Sequence, residues 1–260
     1  MRLSYPAEMA QWPLPRNNLI GFTTTVVGAK NAAGTLAIDP AQSAQSQGAV
    51  NRQRLTEALA AAAHADQVAV QWLQQVHGRD CVYATSDSVL NSPMADAVWT
   101  DQTDIALAIQ TADCVPVLFA HEHNQLIGAA HAGWRGLLGG VLEELINALP
   151  AAAEQLQAWI GPCISVRHFE VGEDVWGPVA NECQDAVFAH PSDVNKRMVD
   201  LVTLTRQRLQ NCGIKRIAAA QRCTYADTAF FSHRRTTVEQ GAEATTGRMA
   251  SVIMLAGDSR

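Results

Sequence analysis

Two histidines and one cysteine carry the side chains best suited to chemistry. His77 lies in Gln74-Gln75-Val76-His77-Gly78, where an extended run meets a glycine able to turn the chain. Cys114 lies in Thr111-Ala112-Asp113-Cys114, a polar interruption between two apolar runs, and His131 lies in Ala129-Ala130-His131-Ala132-Gly133-Trp134, where strand gives way to helix. Two imidazoles and a thiolate are the donor set of a catalytic zinc site that keeps its fourth position open for water, which the metal acidifies toward neutrality. The same atoms allow a second chemistry, a Cys114 nucleophile with His131 or His77 as its base, which needs no metal. The wide separation of the three makes no compact zinc motif, and spacing alone leaves both readings open.

Other polar groups could complete a pocket around them. Asp113 is either a general acid or base or the cap of a turn. Arg135, just before a helix, and Arg235, in Ser232-His233-Arg234-Arg235, carry guanidinium groups that suit a phosphate, although solvated surface arginine is the plainer reading of each alone. His121-Glu122-His123 resembles a copper-type His-x-His pair but lies in a polar stretch between strands, where an exposed turn is expected.

The elements that must position these residues can be read from hydrophobic pattern. Strands are predicted at 18–27, 68–76, 97–100, 105–110, 115–120, 126–130, 158–160, 214–220 and 249–255, because apolar and β-branched residues cluster between polar breaks. Helices are predicted at 50–63, after Gly133 through Leu149, and at 199–209 with Gly213 as a stop. The segments 29–48 and 236–247 read as loops. Strands and helices alternate without repeat or long linker, so the expected architecture is mixed α/β, one catalytic domain over 1–260 with central mixed sheet layers flanked by helices.

Composition removes several function classes. With 48% hydrophobic and 17% charged residues, the 260-residue chain has enough apolar surface to bury a core. A formal net charge of -6 argues against a nucleic-acid surface, which needs clustered Lys and Arg. The N-terminus has no apolar signal region, and the most apolar stretch, 105–120, is broken by Gln110, Asp113 and Pro116, so neither export nor a membrane span is expected. Six scattered cysteines without CxxC pairs read as reduced thiols of a cytoplasmic protein, monomer or homodimer, acting on a small polar metabolite.

Several blocks together resemble a known family. Gln75-Val76-His77-Gly78, Thr111-Ala112-Asp113-Cys114-Val115-Pro116-Val117, Ala129-Ala130-His131-Ala132-Gly133-Trp134-Arg135-Gly136, Trp159-Ile160-Gly161-Pro162, Phe169-Glu170-Val171-Gly172, Arg222-Cys223-Thr224-Tyr225 and Thr246-Gly247-Arg248-Met249-Ala250-Ser251 are similar, in order, to the signature blocks of the YfiH family of laccase-domain, or polyphenol-oxidase-like, proteins. The resemblance implies a single α/β domain with a central mixed sheet and a zinc ion held at His77, Cys114 and His131. It further implies phosphorolysis of adenosine, inosine and methylthioadenosine, with adenosine deamination beside it. Alternatives carried with it are a cysteine hydrolase or amidase editing a peptidoglycan precursor, an accessory protein with a structural metal, and a copper-dependent polyphenol oxidase. The last is short of ligands, since four coppers need about ten imidazoles and the chain has eight. The sequence departs from the family pattern at Thr24 to Ala29, at Leu36-Ala37-Ile38 and at His233, in loops expected to line the pocket.

Overall fold

The computed structural model describes residues 3–26, 35–37, 46–123 and 125–257. Two sheets packed face to face form its centre. One has five strands: β1 (Ala7–Met9), β2 (Leu19–Thr24), β3 (Ala69–Gln71), β6 (Ile105–Thr111) and β14 (Met249–Leu255), in the order β1-β2-β14-β6-β3. The other has six: β4 (Cys81–Tyr83), β5 (Ala97–Thr100), β7 (Val115–His121), β8 (Ile127–Ala132), β9 (Leu156–Ile160) and β13 (Arg216–Ala219), in the order β13-β9-β7-β8-β5-β4. Both are mixed, with β3–β6, β4–β5 and β9–β13 parallel and the remaining pairs antiparallel.

The period-2 alternation of strand side chains sorts the core into layers. Along β6, Ile105, Leu107 and Ile109 face the second sheet and meet Leu118, Ala120, Ile127 and Ala129. The intervening Ala106 and Ala108 face outward and pack with Leu55 and Leu59 of α1 (Gln47–Ala63). In β7 the parity continues: Leu118 and Ala120 point between the sheets, while Val115, Val117 and Phe119 point to the far side. There they meet α2 (Trp134–Gly139), α3 (Val141–Ala148) and α5 (Leu201–Asn211) through Leu137, Val141, Leu142, Leu145 and Leu204. Strands covered on both faces read as continuous apolar runs, which is why the central strands are legible in the sequence. A small sheet of β10 (Glu170–Val171), β12 (Arg197–Val199) and β11 (Val187–Ala189), with α4 (Glu173–Glu182), closes this side.

Several expectations shift. The long helix after Gly133 is two helices, because Gly140 takes a left-handed φ of 91° and caps α2 before α3 begins. The helix expected from 199 starts at Leu201, since Val199 pairs in β12 and the Asp200 carboxylate caps the next turn by accepting from the Val202 and Thr203 amides. The strand expected over 68–76 ends at Gln71. The first five residues of the expected loop at 236–247 belong to α6 (His233–Gln240), capped by Ser232; it buries no residue fully and so has no apolar stripe to announce it. Of the expected loop at 29–48, residues 29–34 and 38–45 lie outside the described residues, and Gln47 already begins α1. His121 is not an exposed turn residue but the buried end of β7.

The layer argument has a direct test. Leu107 is fully buried between the sheets, so Leu107→Ala should lower the unfolding free energy by about 2–5 kcal/mol in urea titration. A loss below about 1 kcal/mol would contradict this packing.

Candidate metal centre and its cavity

The three candidate ligands come from segments far apart in sequence and meet at one end of the two sheets. The donor atoms of His77, Cys114 and His131 all lie within 4.8 Å of one another, the only such His/Cys/Asp/Glu group among the described residues. Cys114 Sγ is 3.9 Å from His77 Nε2, and the two imidazoles meet edge to face with centroids 4.7 Å apart. His131 is buried, Cys114 half-buried and His77 exposed, so the cluster is open on one side. Beneath it lies Gly133, where an added Cβ would sit 3.2 Å from both Cys114 Sγ and His77 Cδ2. The site thus has two nitrogens and one soft sulfur converging on a space that even a methyl group would crowd, which fits a zinc-type ion with room for a further ligand.

What holds the three together is a residue the sequence reading passes over, Asp96. Fully buried just before β5, its carboxylate accepts the backbone N–H groups of Val76 (3.1 Å), His77 (3.0 Å) and Gly78 (2.7 Å), and also His131 Nδ1 at 2.7 Å. One carboxylate therefore fixes the backbone of one ligand and the ring of another. Occupying Nδ1 of His131 leaves Nε2 for the metal side. His77 itself adopts φ 60°, a left-handed conformation uncommon for a residue with a side chain, and the three amide bonds to Asp96 hold it there.

The strand expected to run to His77 is replaced by a side chain. Gln75 Nε2 donates to the Gln110 carbonyl and Gln75 Oε1 accepts the Gln110 amide, both at 2.8 Å. This carboxamide satisfies the edge of β6 as a strand would, while the backbone at 76–78 is freed to turn toward Asp96.

Asp113 sits behind Cys114. At φ 103° it is held by its own carboxylate, which accepts from the Thr224 hydroxyl (2.6 Å), the Ser232 hydroxyl (3.0 Å) and the Arg234 amide (2.7 Å). Of its two readings, the turn-fixing one matches this geometry, since both oxygens are engaged. Arg235 donates to the carbonyls of Thr224, Tyr225 and Phe230, and Arg135 is exposed and stacks 4.2 Å from the Trp134 ring. Neither arginine is among the residues that line the cavity over the cluster.

The charges couple. Burial alone raises a thiol, but hydrogen bonds from His131 and His77 outweigh it and lower the Cys114 pKa to about 6. Burial depresses the His131 imidazole, yet Asp96 and Cys114 lift it to about 9. Burial likewise pushes Asp96 upward, and the bonds from His131, Gly78 and Val76 hold it below the ordinary carboxylate range.

A cavity of about 720 Å³ opens over the cluster, lined by His77, Cys114 and His131 together with Gln75, Gln110, Thr111, Arg52, Arg248, Ala37 and His233. Two positions where the sequence departs from the family pattern, Ala37 and His233, do line it; Val27 to Ala29 and Ile38 lie outside the described residues. Arg52, Arg248, Thr111 and Gln110 were not singled out in the sequence, because each sits in or beside an element whose pattern is explained by packing alone.

Residues 22–256 match the model of a family described as multi-copper polyphenol oxidoreductase laccase. The chain is 42% identical over 185 residues to purine nucleoside phosphorylase YfiH of Escherichia coli strain K12, covering 71% of this chain and 73% of the relative. It is 38% identical over 208 residues to purine nucleoside phosphorylase PA4543 of Pseudomonas aeruginosa, covering 79% of each. The crystal structure of Neisseria meningitidis protein NMB0706 superposes with a TM-score of 0.82 at 32% identity, over 96% of this chain and 99% of that one.

Two outcomes follow from the geometry. Asp96→Asn, which keeps the shape but not the charge, should weaken zinc binding roughly 10- to 100-fold in a chelator competition; unchanged affinity would remove Asp96 from its supporting role. In metal-free protein the lowered Cys114 pKa means that thiolate is present above about pH 6 and lost below it, whereas burial raises the thiols of Cys81, Cys163, Cys183 and Cys212. Iodoacetamide labelling followed by mass spectrometry should therefore modify Cys114 ahead of those four, with a rate that climbs as pH crosses about 6, and added zinc should suppress it. Labelling of Cys114 that begins only near pH 8 to 9, as for an ordinary thiol, would refute the coupling.

Proposed function

The chain belongs to the multi-copper polyphenol oxidoreductase laccase family, and from that premise we propose that it is a zinc-dependent purine nucleoside phosphorylase. The observation that carries this reading is the His77–Cys114–His131 cluster opening onto a 720 Å³ cavity, a volume suited to a nucleoside with a small co-substrate. His77, Cys114 and His131 would hold the metal, and a zinc ion there supplies Lewis-acid polarisation of a substrate heteroatom.

In phosphorolysis an oxygen of phosphate bonds to C1′ of the sugar while the C1′–N9 bond breaks, and the electron pair leaves with the base, which takes up a proton. The chain's own part is to hold the two reactants in line and to exclude competing water. The rigid ends of β6, β7 and β8 provide the first. The uncharged carboxamides of Gln75, locked to the Gln110 backbone, and of Gln110, which accepts from Arg52, give the cavity a polar lining with fixed donors and acceptors. Six free cysteines and a thiolate ligand suit a reducing cytoplasm, and no helix among the described residues is long and apolar enough to cross a membrane.

Purified zinc-loaded protein should convert inosine to hypoxanthine and ribose 1-phosphate only when phosphate is added. Free ribose formed without phosphate would make the enzyme a hydrolase. Conversion of adenosine to inosine in phosphate-free buffer tests deamination at the same centre. Cys114→Ala should lose both zinc and nucleoside turnover; full activity in verified metal-free protein would instead favour a Cys114 nucleophile and the hydrolase reading.

A further inference from the structure

Three polar groups that line the cavity lack a partner that buried groups normally have among the described residues: a hydrogen bond for Thr111, and a carboxylate for Arg52 and Arg248. The Thr111 hydroxyl is 2% exposed at the residue level, lines the cavity and has no hydrogen-bond partner among the described residues. Unpaired buried hydroxyls are uncommon, and each calls for an explanation such as a bound group. Beside it stand two half-buried arginines, Arg52 and Arg248, neither of which forms a salt bridge among the described residues. Removing a guanidinium from water without an anion is costly.

The two arginines are stapled to opposite sides of one buried residue. Arg52 Nε donates to the Leu36 carbonyl at 2.8 Å, and the Leu36 amide donates to the Arg248 carbonyl at 2.9 Å. Arg52 is further fixed by stacking 3.8 Å from the Trp72 ring and by Nη2 donating to Gln110 Oε1. Arg248 uses Nη1 on the carbonyls of Thr246 and Gly247. These bonds leave Nη1 of Arg52, and Nε and Nη2 of Arg248, free to donate among the described residues. Register places the groups together: Met249 pairs with Thr111 and Ala250 with Gln110, so Arg248 enters β14 alongside the end of β6. Rigid, preorganised guanidinium donors with a hydroxyl beside them are the components of a site for a tetrahedral oxyanion.

We propose that Arg52, Arg248 and Thr111 form a phosphate-binding subsite in the cavity shared with the His77–Cys114–His131 cluster. The ligand chemistry is a phosphate group, either free as the co-substrate or carried as an ester on a nucleotide. The free form rests on the phosphorolytic reading above, and the esterified form does not. The subsite gives the cavity a cationic, hydrogen-bonding part in addition to its candidate metal-binding one. Its guanidinium groups come from Arg52 and Arg248, whereas Arg135 and Arg235 do not line the cavity.

Calorimetric titration of zinc-loaded protein with inorganic phosphate, with and without hypoxanthine present, and separately with inosine monophosphate, decides the matter. Three variants go beside the wild type: Thr111→Val, Thr111→Ser and Arg248→Gln. Because the hydroxyl has no hydrogen-bond partner among the described residues, Thr111→Val should leave thermal stability unchanged or slightly raised, yet weaken phosphate binding roughly tenfold or more, as for loss of a hydrogen bond to a charged group. Thr111→Ser should bind like the wild type, and Arg248→Gln should lose at least as much as Thr111→Val. Inorganic phosphate binding that falls in this pattern supports the subsite in its free-phosphate form. If only inosine monophosphate binds, and falls in the same pattern, the subsite stands with an esterified ligand while the phosphorolytic reading fails. Phosphate-dependent turnover with binding that is equal in all four proteins would overturn the subsite and leave that reading intact. No binding of either ligand to the wild type would overturn the subsite as well.

Discussion

The buried carboxylate of Asp96 is the constraint on which the rest of the site depends. An ionised group with no exposure to water is tolerated only when its lone pairs are filled, and here three consecutive amides and one imidazole fill them. The same four bonds do the geometric work. They bend the chain at 76–78 into a conformation that His77 would not choose alone, and they orient the His131 ring. Because His131 in turn bonds with Cys114, a single buried charge sets the position of two ligands and the ionisation of the third. A donor cluster assembled this way is preorganised for an ion.

The double sheet explains why such a charge can be placed there at all. Strands β6, β7 and β8 are covered on both faces and paired up to their last residues, so their ends are held rigidly. Cys114 and Asp113 occupy the turn between β6 and β7, and His131 lies one residue before the end of β8, on the face that looks between the sheets. The cavity forms where that interlayer apolar packing stops. Its walls switch there from Leu and Ile to Gln110, Thr111, Arg52 and Arg248, a change from core to recognition surface within two or three residues of one strand.

The description of the family and the names of its purine nucleoside phosphorylase relatives point to different chemistries, and geometry bears on the choice. A multicopper oxidase needs about ten imidazoles in close array, and the chain has eight histidines. Its single His-x-His pair, His121 and His123, begins at the far end of the seven-residue strand β7, about 20 Å from the Cys114 end at the usual rise per residue. The donor set and its polar, cationic cavity suit group transfer to a phosphate better than electron transfer from a phenol.

The sequence by itself determined the central strands and marked His77, Cys114 and His131 as candidate donors, because continuous apolar runs reveal doubly covered strands and because each of the three is a polar residue at or near the end of such a run. It could not show that these three meet, since their separations of tens of residues carry no spacing rule. It also could not reveal Asp96, an acid before a short strand that resembles any surface residue until its four partners are seen. The polar helix α6 and the division at Gly140 escaped for a related reason: one buries too little to leave a pattern, and the other turns on a single backbone angle. Arg52, Arg248 and Thr111 are separated by up to 196 positions, and only the pairing of β14 with β6, together with the packing of α1 on that sheet, brings them to one wall. Local pattern records what each element must bury, whereas the convergence of polar groups is set by tertiary contacts that no local pattern contains.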